Sequence, residues 1–428
     1  MSKIIVVGGG AAGIFAAIEA ADGRSEVHLY EHNEKLGKKL FITGKGRCNV
    51  TNACESREEL LANIVTNARF MYSSLAAFDN HQMMAFLEEA GLSLKTERGQ
   101  RVFPASDKSS DVIRALTAEL DRRGVRVHLN SQVTGLWQEE ERVLGIKLGR
   151  EKIPADAVIL ATGGVSYASC GSTGDGHRMA QESGHKVTKL LPSLVPMVTS
   201  EEWVRSLQGL SLKNISLTLK QGKKEICSDF GEMMFTHFGI TGPVVLSASA
   251  HMGKYLAKGP VTAILDLKPA LTDQQLDARI LRDFEANKNK QIRNVLPALM
   301  PQALVPVILS LAGIDPYLEI HNVSKGQRRA LAEQIKGLRM TVTALRGFNE
   351  AIITQGGVSV RDVNPATMAS KRVQGLYFAG ELLDVDAYTG GFNLQIAWST
   401  GYAAGRAAAE AAWESTPQPG QMINETEG

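Results

Sequence analysis

The sequence has too few cysteines for a disulfide framework or a metal cluster. Its 428 residues contain four cysteines, at positions 48, 54, 170 and 227, and no two of them form a C-x-x-C pair. Disulfide-rich domains, cysteine-ligated zinc sites and iron–sulfur sites need cysteines in closer clusters. We therefore expect neither structural disulfides nor a metal site.

A strong net charge and long apolar runs are absent as well. The 47 basic and 45 acidic side chains leave a net charge of +2. This balance predicts no overall electrostatic attraction to nucleic acid or membrane, although it is compatible with a local basic patch. No apolar run approaches the ~20 residues of a membrane helix, and the chain begins directly in a strand rather than in a signal peptide. We expect a soluble, cytoplasmic protein of two or three domains, without a membrane partner.

A glycine-rich turn near the start is the strongest motif that the sequence does contain. Residues 4–7 have the apolar character of a buried strand, and Gly8, Gly10 and Gly13 follow as G-x-G-x-x-G before an apolar helix. Gly8 makes the turn, Gly10 leaves room for a pyrophosphate, and Gly13 allows close packing of helix on strand. Glu31 ends the next strand, where an acid accepts hydrogen bonds from ribose hydroxyls. The pattern favours FAD or NAD over NADP and does not choose between the first two.

A basic stretch at residues 32–52 follows this acid directly. It has no helical or strand periodicity, so we predict a loop that lies along a pyrophosphate or beside a flavin ring. No G-K-[ST] occurs, which excludes a Walker A loop. Its cations and glycines are Lys38, Lys39, Lys45, Arg47, Gly44 and Gly46.

Several side chains in loops are candidates for proton transfer. Cys48 follows Arg47, and a neighbouring cation would lower the pKa of its thiol. His237 lies in the glycine-flanked segment FTHFGITGP, and Tyr388 lies in a loop near the C-terminus. For His177, after the turn STGDG, we predict an exposed side chain rather than a proton carrier.

The chain changes character at Pro192. Nine of its fourteen prolines lie between Pro192 and Pro316, which argues against one continuous doubly wound sheet. Before this point we predict helices over 57–90, a hairpin at 91–106, a helix capped by Ser109 or Ser110, a meander at 132–153, and a buried strand ending before Thr162 and Gly163. After it we predict a β-rich module at 193–268, including MMFTHFGITGPVVLSASA, and helices over 272–336 with Thr272 as a cap.

The C-terminal part again has the pattern of a strand followed by a helix. A strand ends at Gly380 and Glu381, and Gly390 and Gly391 precede a long helix rich in small residues. The positive end of such a helix stabilises the negative charge that a reduced flavin carries at N1 and its C2 carbonyl. We predict a disordered tail after this helix and find no internal repeat.

Six stretches together resemble a known family. They are GGGAAG, KLGKK…TGKGRCNVTN, ILATGG, STGDGHRMA, FTHFGITGP and AGELLDVDAYTGGFNLQIAWSTG. They resemble the bacterial NAD(P)/FAD-dependent oxidoreductases that include aminoacetone oxidase-like enzymes, a bile-acid-type enone reductase and a ribosomal RNA dihydrouridine synthase. The resemblance covers residues 1–412, and DVDAYTGG is closer to the bile-acid-reductase branch.

The resemblance implies an α/β fold: a discontinuous, glutathione-reductase-like FAD-binding Rossmann domain with an inserted β-barrel-like domain and a helical insert. The expected boundaries are 1–191 and 356–412 for the FAD domain, 192–270 with 337–355 for the β-rich domain, 271–336 for the helical insert, and 413–428 for a flexible tail. The implied FAD-binding residues are Gly8, Gly10, Ala12, Gly13, Glu31, Lys38, Lys39, Gly44, Gly46, Arg47, Cys48, Asn49, Val133, Thr162, Gly163, Gly380, Asp384, Gly391, Phe392, Asn393 and Leu394.

The sequence departs from classical disulfide reductases in two respects. It has no second glycine fingerprint for NAD(P)H, and Cys48 and Cys54 are one residue too far apart for C-x-x-x-x-C. The single fingerprint is therefore assigned to FAD. NAD(P)H, if it is the electron donor, must bind without a Rossmann domain of its own.

The predicted function is that of an FAD-dependent oxidoreductase. A hydride would move between flavin N5 and an activated C=C or C–H substrate, with Cys48, His237 or Tyr388 as the proton donor. One alternative is reduction of a uridine in 23S ribosomal RNA, for which residues 288–293 and 325–329 would supply a basic surface. Others are an aminoacetone-type amine oxidase that uses oxygen and a flavin-binding protein without turnover. The substrate and the oligomeric state stay open.

Overall fold

The computed structural model describes residues 1–414, which form two compact units. One unit comprises Met1–Pro192 with the chain from Ile352 onward, and the other comprises Ser193–Ala351. The predicted flexible tail at 413–428 begins inside the last helix, which extends to Glu414. The rest of that prediction lies outside the described residues.

The segment before Pro192 alternates strands and helices. Its strands are β1 Ser2–Val7, β2 Ser25–Tyr30, β3 Thr51–Asn52, β4 Ile64–Thr66, β5 Leu94–Glu97, β6 Arg101–Pro104, β7 Arg126–His128, β8 Gly135–Glu139, β9 Arg142–Leu148, β10 Glu151–Pro154, β11 Ala157–Leu160 and β12 Leu191–Ser193. Its helices are α1 Ala11–Ala20, α2 Lys38–Gly46, α3 Arg57–Ala62, α4 Tyr72–Ala77, α5 Asn80–Glu89, α6 Ser109–Arg122 and α7 Asp175–Glu182.

The second unit combines a barrel with helices. Its strands are β13 Met197–Thr199, β14 Ser211–Gln221, β15 Lys224–Phe235, β16 Gly239–Thr241, β17 Val261–Asp266 and β18 Leu338–Leu345. Its helices are α8 Glu202–Ser206, α9 Pro243–Ser249, α10 Gly253–Leu256, α11 Asp273–Glu285, α12 Ile292–Val295, α13 Val305–Leu311 and α14 Lys325–Lys336. The C-terminal segment adds β19 Ile353–Gln355, β20 Leu376–Phe378, β21 Asp386–Ala387 and α15 Phe392–Glu414 to the first unit.

A five-stranded parallel sheet forms the centre of the first unit. Its order is β20-β11-β1-β2-β7, with Val6 of β1 opposite Ile159 on one side and Leu29 on the other. These apolar strands are buried on both faces, as their continuous apolar runs predicted. The carboxyl ends of β1, β11 and β20 meet at one edge, the place where such sheets bind ligands.

Helix α15 packs closely on α1. A Cβ atom placed on Gly401 would lie 2.6 Å from the carbonyl oxygen of Ala12, and one on Gly405 would collide with the carbonyl oxygen of Ala16. The small residues therefore allow backbone-to-backbone contact between the two helices. This packing ties the C-terminal segment to the glycine turn.

The barrel of the second unit is closed. Strand β13 pairs with both β16 and β18, which completes the order β13-β16-β15-β14-β17-β18. The prediction of a β-barrel-like insert with helices is confirmed. Thr272 caps α11 as predicted, since its hydroxyl accepts a hydrogen bond of 3.2 Å from the amide of Gln275.

Some local predictions were wrong. The stretch 32–52 contains α2, which the sequence concealed because only Leu40 of this short helix is buried. Residues 243–249 are helical rather than extended, since Pro243 occupies the first turn of α9, a position that favours helix initiation.

Two side chains also differ from their predicted roles. Ser109 does not cap α6, because its hydroxyl donates to the carbonyl oxygen of Phe41 at 2.7 Å and Lys108 holds the cap position. His177 is only 4% exposed rather than on the surface, because the first turn of α7 packs inward.

Within the described residues, no helix combines the length and the apolar character needed to cross a bilayer.

Candidate active site

The glycine turn between β1 and α1 has the predicted geometry. A Cβ atom on Gly13 would collide with the carbonyl oxygen of Gly8, so the close approach of helix and strand requires glycine there. At Gly10, by contrast, a Cβ would meet no atom within 4 Å. The first hydrogen bond of α1 runs from the amide of Ile14 to the carbonyl of Gly10, at 2.9 Å. The amides of residues 11–13, which precede this bond, therefore have no intrahelical acceptor and are available to an anion.

Glu31 lies beside this turn at the end of β2. Its Oε2 accepts a hydrogen bond of 2.6 Å from the amide of Gly9. Its Oε1 accepts from the amide and the side chain of Asn33, at 2.8 Å and 2.7 Å. A carboxylate has about four acceptor positions. One position on Oε2 is thus free of a donor from residues 1–414, which suits a ribose hydroxyl.

Several buried polar atoms have no hydrogen-bond partner within residues 1–414. Two of them are Oδ1 of Asn49, which follows α2, and Oγ1 of Thr162, which follows β11. A buried polar atom left unpaired costs roughly 1–3 kcal/mol. Both residues were predicted to contact the cofactor, and a bound polar ligand would supply the missing partners.

The N-terminus of α15 is fixed by several contacts to the GRCNVTN segment. Gly391 lies so close to the backbone of Thr51 that a Cβ atom would collide with it. Asn52 donates from Nδ2 to the carbonyl of Gly390 at 3.0 Å. The first hydrogen bond of the helix runs from the amide of Gln395 to the carbonyl of Gly391, at 3.0 Å. The amides of residues 392–394 therefore lie in the turn whose N–H groups have no intrahelical acceptor.

Asn393 connects this helix to the loop that contains Tyr388. Its Oδ1 accepts from the amide of Ala387 at 3.0 Å, and its Nδ2 donates to the carbonyls of Ala387 and Tyr388 at 2.8 Å and 3.1 Å. The amide of Tyr388 donates to the carbonyl of Asn63, also at 3.0 Å. Tyr388 is thus held at the start of α15.

A polar network at the same sheet edge was not predicted. The Nζ of Lys39 lies 2.7 Å from Oε2 of Glu381 and 2.8 Å from Oγ of Ser166. Oε1 of Glu381 accepts from the amide of Thr354 at 2.8 Å. The position of Glu381 at a strand end was visible in the sequence, but nothing in the sequence indicated Ser166 or Thr354, since their contact with it depends on long-range folding.

The other cations of the predicted loop make different contacts. Lys38 donates to Oδ1 of Asn33 at 3.1 Å and pairs with Glu34 at 3.2 Å. The guanidinium of Arg47 stacks 4.1 Å from the ring centre of Phe103 and pairs with Asp107 and Glu97. Arg47 therefore holds the loop to the β5–β6 hairpin. Gly44 and Gly46 form the irregular end of α2.

The expected low pKa of Cys48 was wrong. Its side chain is fully buried, and this burial raises the pKa of its thiol to about 12, although a hydrogen bond with Thr43 acts in the opposite direction. Arg47 points to the hairpin and does not offset the burial. At neutral pH the thiol is protonated and unreactive.

The remaining predicted residues have varied surroundings. Gly380 donates from its amide to Oγ1 of Thr400 at 2.9 Å, and a Cβ on it would lie 2.6 Å from Cβ of Ala12. Val133 is buried between β7 and β8. Gly163 follows Thr162, with Oγ of Ser172 3.1 Å from the position of a Cβ atom. Phe392 and Leu394 lie in the first turn of α15, and Asp384 lines a separate polar cavity described below.

His237 belongs to the second unit. It lies exposed between β15 and β16, with its ring centre 5.0 Å from that of Phe238. The other two proton-donor candidates, Cys48 and Tyr388, belong to the first unit. Within residues 1–414, no group of three metal-ligating side chains is present.

Two titratable groups of the first unit, Asp386 and His177, are buried. Asp386 is 1% exposed, and burial raises the pKa of its carboxyl to about 6 although Thr66 and Gln355 hydrogen-bond to it. Burial lowers the pKa of His177, while Glu381 and the backbone of Leu382 oppose that shift. The burial of Asp386 was not predicted, and the burial of His177 contradicts its predicted exposure.

Comparisons with known proteins agree with this fold. Residues 2–407 match the family described as HI0933-like protein Rossmann domain. The chain belongs to this family. Its relatives include a 3-dehydro-bile acid delta(4,6)-reductase from Clostridium scindens, which is 33% identical over 96% of this chain and 100% of the relative. A ribosomal RNA dihydrouridine synthase from Haemophilus influenzae is 30% identical over 94% of this chain and 97% of the relative.

A solved structure shares the fold of this HI0933-like protein. The 3-ketosteroid-delta4-(5alpha)-dehydrogenase from Rhodococcus jostii RHA1, in complex with 4-androstene-3,17-dione, superposes with a TM-score of 0.50. It is 16% identical, and the match covers 95% of this chain and 97% of that one. The HI0933-like chain is therefore an oxidoreductase with an FAD-binding Rossmann fold.

The residues at the sheet edge fit FAD. The open space at Gly10 and the free acceptor position of Glu31 suit a pyrophosphate and a ribose. The unpaired atoms of Asn49 and Thr162 offer further contacts to a polar ligand. When bound, FAD supplies hydride exchange at its N5 atom, and the chain supplies position, charge and protons.

Proposed function

We propose that this oxidoreductase reduces an activated carbon–carbon double bond of a small molecule, with NADPH as the source of the hydride. The observation that carries the proposal is the N-terminus of α15, which presents the amides of residues 392–394 beside the fixed loop of Tyr388. Free amides at a helix N-terminus stabilise negative charge, and they would favour a reduced flavin over an oxidised one.

Different residues along the sheet edge would hold different parts of FAD. Gly10, Glu31 and the start of α1 hold the adenosine and pyrophosphate end of FAD. Asn49, Thr162 and the first turn of α15 hold the other end, with Lys39 and Glu381 between. The other predicted contacts, from Ala12, Gly44, Gly46, Val133, Gly163 and Gly380, would be packing or backbone contacts. This division follows the strand ends of the described sheet.

Tyr388 is the proton donor in this proposal. A proton must reach one carbon of the double bond while the hydride reaches the other. The buried, high-pKa thiol of Cys48 suits packing better than proton transfer. Tyr388 is held at the start of α15 by Asn393.

The names of the relatives support reduction of a double bond. One acts at the delta(4,6) positions of a 3-dehydro-bile acid, and the other forms dihydrouridine. We favour a cyclic enone as the substrate, because the first of these relatives covers more of this chain at higher identity.

Reduction of uridine in ribosomal RNA is the second candidate, and it rests on the similarity to the Haemophilus influenzae relative. The basic run at 325–329 is partly neutralised, since Arg328 pairs with Asp277 at 2.7 Å and Arg329 with Glu333 at 3.1 Å. Such pairing leaves less charge for phosphate contacts.

Anaerobic mixing of the yellow protein with NADPH or NADH tests the proposal. Loss of the oxidised flavin absorbance with NADPH, followed by its return on addition of a 3-keto-4-ene steroid and formation of a product two mass units heavier, is the expected result. Loss of the flavin colour on anaerobic addition of an amine, and its return on addition of oxygen, would favour an oxidase. Loss of one dihydrouridine from ribosomal RNA in a deletion strain would favour the RNA reaction.

A further inference from the structure

A polar cavity in the first unit has no role in the function proposed so far. Its volume is about 470 Å³, within the ~300–1,000 Å³ of typical small-molecule sites. Its wall is formed by five parts of the chain: Asn67 after β4, the chain after α7, the turn at 359–362, Arg372 before β20, and Asp384 in the loop between β20 and β21. The side chains used below are those of Asn67, Lys186, Arg361, Asp362, Arg372 and Asp384.

One side of this cavity is cationic. Arg372 is neutralised, because its Nη2 lies 2.9 Å from Oδ1 of Asp362, whose Oδ2 accepts from the amide of Lys186 at 2.9 Å. The ammonium of Lys186 and the guanidinium of Arg361 make no ion pair or side-chain hydrogen bond within the described residues. These two cations are therefore unpaired within the described residues, and unpaired cations in a cavity can recognise a phosphoryl group.

The wall of the cavity also carries a carboxylate. Asp384 is half-buried, and the side chains of Thr188 and Asn67 hydrogen-bond to it. Asn67 also donates to the carbonyl oxygen of Asp384 at 2.7 Å. These contacts fix the carboxyl group within the cavity wall, where it can accept hydrogen bonds from sugar hydroxyls. Glu31 offers a ribose the same chemistry at the end of β2.

We propose that this cavity binds the phosphorylated ribose of a nucleotide coenzyme. Lys186 and Arg361 would hold the phosphate. The carboxylate of Asp384 would accept a hydrogen bond from a hydroxyl of the sugar or from an amino group of the base. The ligand that combines these features in the proposed reaction is the 2′-phosphoribose of NADPH, so the identity of the whole molecule rests on the proposed function. The site needs no second glycine fingerprint, which the sequence lacks.

A small nucleotide fits this cavity better than an RNA strand does. RNA-binding surfaces contact several successive phosphates with a continuous run of cations. This cavity offers two uncompensated cations, and the chain as a whole carries a net charge of only +2. A single phosphorylated sugar satisfies these groups without further contacts.

Direct binding tests the inference independently of turnover. Calorimetric titration of the FAD-loaded protein would compare adenosine 2′,5′-bisphosphate, 5′-AMP and adenosine. We expect the bisphosphate to bind at least tenfold more tightly than adenosine. Each of the variants Lys186→Ala and Arg361→Ala should weaken it by about tenfold, the usual effect of one charge-assisted contact. Lys213→Ala, an exposed lysine of β14 in the other unit, is the matched control and should change nothing.

The results of these titrations distinguish a failure of the proposed site from a failure of the proposed function. Equal binding of adenosine and the bisphosphate, or binding that neither variant weakens, would overturn the site. A short RNA that binds more tightly than the bisphosphate and loses affinity in both variants would also overturn it, in favour of nucleic acid. Tighter binding of 5′-AMP than of the bisphosphate would identify a free nucleotide and reject the 2′-phosphate. Bisphosphate binding that requires Arg361, without loss of flavin colour on addition of NADPH, would support the site and reject the proposed donor.

Discussion

The ammonium of Lys39 lies 2.7 Å from Oε2 of Glu381, although 342 positions separate the two residues in the sequence. One residue belongs to the helix after the ribose-binding acid, and the other follows β20 in the C-terminal segment. Ser166, after β11, contacts both side chains. The network therefore joins the two sequence segments of the first unit at the edge where the cofactor is proposed to bind.

Glu381→Gln tests this network. The substitution leaves the ammonium of Lys39, which is 19% exposed, without its carboxylate. Breaking a half-buried ion pair lowers the free energy of unfolding more than breaking an exposed pair does, and less than breaking a fully buried pair does. We expect the free energy of unfolding to fall by roughly 1–2 kcal/mol and FAD to bind about tenfold more weakly. Urea denaturation and flavin fluorescence measure the two effects.

The matched control is Glu34→Gln, which removes an exposed carboxylate from its pair with Lys38. It should change neither quantity measurably, since exposed pairs contribute little. Equal effects of the two substitutions would show that Glu381 has no special role.

Gly10→Ala should separate cofactor binding from folding. A Cβ at this position meets no protein atom within 4 Å, so the stability of the protein without FAD should change by less than about 1 kcal/mol. The same methyl group would occupy the space where the backbone approaches a pyrophosphate, and FAD should bind at least tenfold more weakly. Thermal unfolding without FAD and a binding titration provide the two measurements.

Gly13→Ala is the contrasting variant. Its Cβ would collide with the carbonyl oxygen of Gly8, so the variant should lose stability whether or not FAD is present. If Gly10→Ala destabilised the protein without FAD as strongly as Gly13→Ala does, the space at Gly10 would not be a ligand site.

The sheet was predictable because its signals are local, whereas the barrel was implied by the resemblance to a family. The apolar run at residues 4–7 and the glycines that follow define the first strand and turn wherever they occur. Thr272 marked the start of α11 by the same kind of local chemistry, since its side chain caps the helix. Such signals depend on neighbours within a few positions, and sequence patterns record them.

The sequence did not indicate those contacts that depend on distant parts of the chain. Arg47 pairs with Asp107 and Glu97 at the β5–β6 hairpin, and its predicted contact with the cofactor stays a prediction. His177 is polar and near a helix start, and its burial depends on how α7 packs. Helix α2 has one buried residue, too few to produce a period. No local pattern encodes these contacts.

Cys48 should resist modification in the native protein. Its thiol is fully buried and its pKa is raised to about 12, whereas Cys170 is partly exposed. Because only the thiolate reacts, iodoacetamide at pH 8 should alkylate Cys170 and leave Cys48 unmodified until the protein unfolds. Peptide mass spectrometry after timed quenching measures both rates. Modification of Cys48 as fast as that of Cys170 would contradict its burial and restore it as a candidate acid.

Asp386→Asn should stabilise the protein at high pH and not at low pH. Burial raises the pKa of Asp386 to about 6, so its folded form binds a proton more tightly than the unfolded form. That contribution is complete below pH ~4 and is lost as the pH rises through about 6. The asparagine avoids this loss and should add roughly 1–3 kcal/mol at pH 8.

Urea denaturation of both proteins at pH 4 and pH 8 checks this prediction. Asp121→Asn, at an exposed aspartate of α6, is the control and should behave like the unmodified protein at both values. A gain of equal size at pH 4 and pH 8 would mean that the carboxyl charge of Asp386 is not the cause.

Tyr388→Phe separates hydride transfer from proton transfer. The substitution removes the phenolic proton and preserves the ring. The backbone contacts that fix the loop at Asn393 and Asn63 should persist. Bleaching of the flavin by NADPH needs no proton from the tyrosine and should keep its rate. Reoxidation by the enone needs a proton from the tyrosine and should slow by at least about 100-fold.

Tyr72→Phe, at a tyrosine that is 55% exposed, is the matched control and should leave both rates unchanged. Anaerobic stopped-flow absorbance resolves the two half-reactions, and equal slowing of both would indicate that Tyr388 positions the flavin instead of donating the proton.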